Sequence, residues 1–116
     1  MTVEILHNPR CSKSRQTLNL LQEQGVKPEI TEYLKNPPSK EELKGILEML
    51  NMEPRDLMRK KESEYKEAGL DNPGLSRDEL MQAMIDHPRL IERPIVITNG
   101  KAVIGRPPEK VLDLLK

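Results

Sequence analysis

The sequence predicts an α/β domain in which a βαβ unit, a helical segment and a ββα unit form a mixed sheet covered by helices. An apolar strand followed by a loop, an amphipathic helix and a second strand opens the chain, as in a βαβ unit. Two Ser-x-x-Glu capping boxes, at Ser39 and Ser76, predict helices in the middle. Asn99-Gly100 then separates two apolar segments, which is the strongest short-range signal of a β-hairpin.

The N-terminal elements follow from apolar residues and the breakers between them. TVEIL, residues 2–6, has the β-branched, apolar character of a strand and stops before an Asn-Pro pair. A helix of about three turns is predicted from Ser12, and Gly25 ends it because glycine tolerates a left-handed conformation. EITEYL, residues 29–34, is predicted as a second strand, parallel to the first. Cys11 therefore falls where the first strand passes into the first helix.

The remaining elements are helices followed by the hairpin and a last helix. Ser39 and Ser76 each begin a helix, and Pro54 suits the first turn of a helix in EPRDLMRKK. The hairpin is predicted over residues 94–105, and PEKVLDLLK, residues 108–116, is predicted as the last helix. The apolar residues expected on one face of that helix are Val111, Leu112 and Leu115. The element order is therefore βαβ, helices, ββα.

Composition excludes several classes of function. The formal net charge is zero, and the chain has two Tyr but no Phe or Trp, so we expect no nucleic-acid partner. No apolar run is long enough to span a bilayer and the N-terminus does not look like a leader, so we expect a cytoplasmic protein without a membrane partner. One cysteine and two histidines lack the spacing of metal ligands, so we expect no metal.

The segment HNPRCSKSRQTL, residues 7–18, carries an unusual charge pattern. A helix N-terminus favours acidic residues, and both helices with capping boxes have them there, but this helix has Arg10, Lys13 and Arg15 instead. The helix start therefore suits an anion, which is the thiolate of Cys11, a bound oxyanion or both. A free cysteine has a pKa of about 8.5, and such a setting lowers it to roughly 3.5 to 7.5. Cys11 is accordingly a candidate nucleophile.

Ordinary structural roles are the alternatives for these residues. Lone cysteines are often small buried hydrophobes, and basic residues on a helix are often solvated. His7 suits a hydrogen-bonded structural histidine as well as a group that tunes the thiolate, and Ser14 suits a donor to the turn. Spacing alone leaves both interpretations open.

HNPRCSKSRQTL resembles the glutaredoxin-coupled arsenate reductases, the ArsC family, whose nucleophilic cysteine lies in an HNP-x-C-x-x-S-R segment. The resemblance continues in four further segments: YLKNPP at 33–38, LMRKKESEY at 57–65, HPRLIERPIVI at 87–97 and GRPPEKVLDLL at 105–115. It implies a thioredoxin-like fold. The chain would be a single domain, residues 1–116, with a helical insertion at about 39–90 between its halves.

The resemblance also implies roles for individual residues. Cys11 would be the nucleophile, with His7 and Ser14 supporting its thiolate. The expected oxyanion-binding residues are Arg59, Arg93 and Arg106. Guanidinium groups suit an oxyanion because their planar fork can donate two hydrogen bonds to it. Pro94, which follows Arg93 at a strand start, is the expected cis-proline. By themselves, Arg59 would fit a solvated helix face and Arg106 an exposed loop.

The implied activity is reduction of arsenate to arsenite, with glutathione as co-substrate, glutaredoxin as partner and no bound cofactor. An Spx-type regulator that binds RNA polymerase is an alternative, but its C-x-x-C switch is absent because Ser14 stands at the second position. A cysteine phosphatase would need C-x5-R, whereas Arg15 gives C-x3-R. A thiol oxidoreductase of the same family that acts on another oxyanion or substrate remains a further alternative, since phosphate and sulfate resemble arsenate in size and charge.

Overall fold

The computed structural model of the chain describes residues 2–115. Met1 and Lys116 lie outside the described residues. They are the ends of the predicted domain, and Lys116 is also the last residue of the predicted C-terminal helix. Within the described part, no helix combines the length and the apolar character that crossing a bilayer requires.

The described chain divides into two compact units. One contains the residues up to Asn36 together with those from Arg93 onward, and the other is Pro37–Glu92. The segment predicted as a helical insertion, about 39–90, falls within the second unit. The assignment of the whole chain to a single domain stays a prediction.

A four-stranded mixed sheet forms the first unit, in the order β2-β1-β3-β4. The strands are β1, Val3–Leu6; β2, Glu29–Thr31; β3, Ile95–Thr98; and β4, Lys101–Ile104. β1 and β2 are parallel, whereas β3 is antiparallel to both β1 and β4. This arrangement confirms the predicted α/β class, with the parallel and antiparallel halves of a thioredoxin-like fold.

The helix between the parallel strands, α1, spans Ser12–Glu23. It ends as predicted, because Gly25 has a left-handed φ of 78°. The ladder between β1 and β2 extends past β1, where the His7 N–H donates to the Thr31 carbonyl at 2.8 Å. The loop that carries Cys11 therefore leaves the sheet at the carboxyl ends of β1 and β2.

The predicted hairpin is confirmed in the register that its turn dictates. Asn99 and Gly100 have φ values of 52° and 71°, the positive pair that a type I′ turn requires. β3 and β4 then pair from Thr98–Lys101 to Ile95–Ile104. The turn lies at the end of the sheet opposite Cys11, since Ile95 rather than Thr98 pairs with Leu6.

One face of the sheet is covered by α1 and the C-terminal helix. The buried residues of this core are Val3, Ile5, Leu21, Val96 and Val111. The C-terminal helix is a 3-10 helix, Pro108–Leu115, and not the predicted α-helix. A 3-10 helix has three residues per turn, so the buried Pro108 and Val111 align with Leu114. Val111 and Leu115 pack in the core as predicted, whereas Leu114 takes the place predicted for Leu112.

The second strand is shorter than predicted. β2 ends at Thr31, whereas residues 29–34 were expected to be extended. The N–H groups of Lys35 and Asn36 both donate to the Glu32 carbonyl, which closes a turn. This turn brings Tyr33 to a fully buried position, and that burial outweighs continued strand pairing.

The second unit is helical. Both capping boxes are confirmed, at the start of α2, Lys40–Leu50, and of α4, Arg77–Asp86. A short helix, α3, occupies Ser63–Glu67. The helix expected in EPRDLMRKK is only one 3-10 turn, Pro54–Leu57, because the chain becomes extended at the next residue and pairs there with the segment before β3.

Candidate active site

Cys11 is held between the loop after β1 and the first turn of α1. Its backbone is extended, with φ −93° and ψ 124°, at the position just before the helix. Its N–H donates to the Asn8 carbonyl at 3.0 Å, and its carbonyl accepts from the Arg15 N–H at 3.0 Å. The side chain is partly exposed, and the first turn contains no acidic residue. The thiol is therefore accessible at a position where helix N–H groups favour negative charge.

A buried hydrogen-bond network supports this turn. The Ser14 hydroxyl lies 2.7 Å from His7 Nδ1 and accepts from the Asn8 N–H at 3.0 Å. Ser14 is fully buried and His7 nearly so. Burial lowers the pKa of His7; the Glu32 charge opposes this and the Arg15 charge adds to it. The lowered pKa favours the neutral form of the ring at pH 7, and in that form the ring can share a hydrogen bond with Ser14.

The environment of Cys11 favours its ionised form. Partial burial by itself raises the pKa of the thiol, but hydrogen bonds and charge outweigh it, so the pKa is lowered overall. The groups responsible are the Ser14 N–H, the charge and side-chain hydrogen bond of Arg93, and the Lys13 N–H. Backbone N–H groups of the first turn of α1 therefore favour an anion at Cys11, and Arg93, which is distant in sequence, supplies the nearby cation.

This lowered pKa predicts a pH-dependent alkylation rate. We expect the rate of iodoacetamide reaction at Cys11 to have its midpoint below that of free cysteine, about 8.5. The rate is measured from pH 4 to 10 by mass spectrometry, with N-acetylcysteine in the same buffers as the control. A midpoint equal to that of the control would contradict the stabilised thiolate.

Arg93 and its neighbours form the other side of the site. The Arg93–Pro94 peptide bond is cis, as is Arg106–Pro107. The Gly105 N–H donates to the Pro94 carbonyl at 2.9 Å, and Arg106 Nη1 reaches the Arg93 carbonyl at 3.4 Å. Arg93 and Arg106, two of the three predicted oxyanion-binding arginines, therefore lie on adjoining segments. The Arg93 side chain contacts Cys11.

Gly105 is required by close packing against α1. A Cβ at this position would lie 2.6 Å from Thr17 Oγ1 and 3.0 Å from Pro94 Cγ. Thr17 has little freedom to move, because it is fully buried and its hydroxyl donates to the Lys13 carbonyl at 2.8 Å. The segment that leads to Arg106 therefore packs directly on the helix that begins at Cys11.

We expect Gly105→Ala to lower the free energy of unfolding by about 1 to 3 kcal/mol, since it overpacks this contact. Gly45→Ala is the matched control: Gly45 lies inside α2 with nothing within 4 Å of its Cβ position. Alanine should stabilise the helix there by up to about 1 kcal/mol. Urea unfolding of both variants tests the pair, and equal effects of the same sign would contradict the packing argument.

Arg59 belongs to the second unit. Its Nη2 lies 2.6 Å from Glu62 Oε1, and its Nη1 donates to the Arg89 carbonyl at 3.2 Å. Its role toward an oxyanion at Cys11 stays a prediction, as do the roles of Arg93, Arg106, His7 and Ser14.

Sequence reasoning missed three residues that shape these surroundings. Gly105 and Thr17 meet across a long stretch of sequence, and no local pattern marks a glycine needed for packing alone. Glu62 had a usable signal, because a glutamate three residues after an arginine in a helical turn can form an ion pair with it.

Comparisons with known proteins agree with the fold. The model of the ArsC family matches residues 6–114. An "Arsenate reductase" of Neisseria meningitidis serogroup A is 53% identical over 114 residues, which cover 97% of each chain. YfgD, an uncharacterized protein of Escherichia coli K12, is 56% identical and covers 97% of this chain and 96% of its own. The solved structure "Arsenate reductase from Vibrio cholerae" superposes with a TM-score of 0.94 at 54% identity, covering 97% of each chain.

Proposed function

Because the chain belongs to the ArsC family, we propose that it is an arsenate reductase that uses the Cys11 thiolate as nucleophile and draws electrons from glutathione and glutaredoxin. The observation that carries this proposal is a partly exposed thiol at the acid-free first turn of α1, beside Arg93. The names of the similar proteins support the substrate. The reaction belongs in the cytoplasm, a reducing compartment that keeps such thiols available.

Arsenate binding comes first in this mechanism. The N–H groups at the start of α1 and the Arg93 guanidinium favour negative charge at Cys11, and the same groups suit an oxyanion. Arg106 and Arg59 complete the proposed set of arginines. Their charge offsets that of the substrate, so the anionic thiolate can approach an anionic arsenate.

The first covalent step joins sulfur to arsenic. The Cys11 thiolate attacks As(V), and one arsenate oxygen leaves as water after it is protonated. The arsenic stays at the +5 oxidation state in this adduct. The positive charges around the thiolate stabilise the transition state because the departing oxygen and its neighbours carry negative charge.

The second step transfers the electrons. A glutathione thiolate attacks the Cys11 sulfur, the new S–S bond forms, and the S–As electron pair leaves with arsenic as As(III). Arsenite is released, and Cys11 is left as a mixed disulfide with glutathione. A glutaredoxin thiolate then takes the glutathionyl group and restores the Cys11 thiol.

The sequence supports an external source of electrons. Cys11 is the only cysteine among the 116 residues, so within them no second thiol is present to resolve the adduct. Ser14, at the position where a C-x-x-C switch would place its second cysteine, is engaged with His7 and Asn8 instead.

A coupled assay tests this function. NADPH oxidation is followed with glutathione, glutathione reductase and glutaredoxin, and arsenate is added last. We expect arsenate-dependent turnover that requires both the protein and glutaredoxin. Phosphate and sulfate replace arsenate in parallel reactions. Turnover that does not depend on arsenate, or that is equal without glutaredoxin, would refute the proposal.

A further inference from the structure

Arg59 forms an ion pair with Glu62, which lies three residues later in the same turn. The contact of 2.6 Å between Arg59 Nη2 and Glu62 Oε1 is short, and the side chains are only 22% and 18% exposed. A charge-assisted hydrogen bond shielded from water in this way is stronger than an ordinary surface ion pair. The charge of Arg59 is therefore already offset before any substrate is bound.

The backbone fixes both members of this pair. The Arg59 N–H donates to the Leu90 carbonyl at 2.7 Å, next to the bridge between Met58 and Ile91. The Glu62 N–H donates to the Arg59 carbonyl at 3.1 Å, which sets the separation of the two residues. Glu62 precedes α3 but its side chain does not cap that helix. Its carboxylate is directed at Arg59 instead.

A second arginine shares the carboxylate. Arg89 Nη2 lies 3.6 Å from Glu62 Oε2, and Arg89 Nε lies 3.7 Å from Glu64 Oε2. Two arginines and two glutamates thus form a cluster without net charge. Arg89 is 65% exposed and its contact with Glu62 is the longer one, so it offsets only part of the Glu62 charge when Arg59 turns toward another anion.

Arg59 keeps donors for such an anion. A guanidinium has five N–H groups, and in the described residues one bond goes to Glu62 and one to the Arg89 carbonyl. An oxyanion can bind at the remaining N–H groups or displace Glu62. In either case the Glu62 carboxylate opposes it, through like-charge repulsion or through competition for the same donors.

We propose that Glu62 is a positioning residue that holds the Arg59 guanidinium in place and weakens its affinity for the oxyanion. This inference rests on the proposed function, in which Arg59 binds arsenate. Its physical basis is a negative charge beside the binding arginine, so it applies equally to any tetrahedral oxyanion of the same charge. Phosphate and arsenate affinities should therefore change together.

Glu62→Gln isolates the charge. The glutamine amide oxygen can still accept from Arg59 Nη2, so the orientation of the guanidinium is kept while the negative charge is lost. We expect the KM for arsenate and the inhibition constant of phosphate to fall in parallel by roughly three- to tenfold, the range for partly buried charge pairs. The kcat should stay unchanged.

Glu64→Gln is the matched control. Glu64 is 20% exposed and contacts Arg89, and no ion pair joins it to Arg59 among the described residues. This variant makes the same change in net charge but keeps the Glu62 carboxylate beside Arg59. It should therefore leave the KM for arsenate and the inhibition constant of phosphate unchanged. Thermal unfolding of both variants shows whether either substitution disturbs the fold. The KM and kcat values alone do not measure this.

Calorimetric titration of arsenate separates this inference from the proposed function. Absence of turnover in the native protein would refute the reductase, whereas the titration still compares the native protein, Glu62→Gln and Arg59→Gln. We expect tighter binding in the first variant and weaker binding in the second. Unchanged or weaker arsenate affinity in Glu62→Gln, an equal shift in Glu64→Gln, or no binding by any of these proteins would overturn the inference.

Discussion

Cys11→Ser is expected to abolish arsenate-dependent NADPH oxidation, with kcat reduced by about three orders of magnitude or more. A serine hydroxyl at this position has no comparable anionic form at neutral pH, so it cannot attack arsenate, and it cannot form the mixed disulfide that carries the electrons. The loss is measured in the coupled assay with glutaredoxin in excess.

Thermal unfolding supplies the control for this variant. Cys11 is partly exposed and stands just before α1, where serine is a favoured residue because its hydroxyl can accept from the first N–H groups of a helix, so Cys11→Ser should leave the melting temperature close to that of the native protein. Loss of activity with an unchanged melting temperature assigns the defect to chemistry. Retention of more than a tenth of the native kcat would contradict the role of Cys11 as nucleophile.

Arg93→Met is expected to have the second largest effect. It removes both the charge and the side-chain hydrogen bond that lower the pKa of Cys11, so that pKa should rise. At neutral pH less thiolate is present and the oxyanion loses a ligand, and kcat/KM should fall by about a hundredfold. Part of the loss should be recovered at higher pH, where the thiolate re-forms.

Arg93→Lys separates charge from shape. Lysine keeps the positive charge but not the planar fork, so the alkylation midpoint of Cys11 should move less than in Arg93→Met, while kcat/KM for arsenate should still fall. If the midpoint in Arg93→Met equals that of the native protein, Arg93 does not stabilise the thiolate and the assignment fails.

Local signals were sufficient for much of the fold. The capping boxes at Ser39 and Ser76 and the turn at Asn99-Gly100 each encode their geometry in neighbouring residues, and all three are confirmed. The predictions were wrong where tertiary contacts determine the local structure. The second strand ends early because Tyr33 is buried in the turn that follows it. The C-terminal helix adopts the 3-10 form, in which Pro108 aligns with Val111.

The candidate site, like the fold, was predictable where neighbouring residues determine it and not where distant contacts do. The acid-free start of α1 pointed to a stabilised anion at Cys11 from sequence alone. The backbone N–H groups of Lys13 and Ser14 contribute to that stabilisation, but the charge that lowers the pKa of Cys11 is that of Arg93. The contact with Arg93 was expected only from the family resemblance, because nothing near that residue reports its distance from Cys11. Neither the local sequence nor the family resemblance predicted the packing of Gly105 on Thr17.

The central claim is that Cys11 and glutathione together give two electrons to arsenate. Intact-mass spectrometry tests it most directly, on native protein incubated with reduced glutathione, with or without arsenate and with glutaredoxin omitted. The predicted result is one glutathione adduct on Cys11 that forms only with arsenate, alongside an equal amount of arsenite. Absence of the adduct, or equal amounts of it without arsenate, would contradict the mechanism.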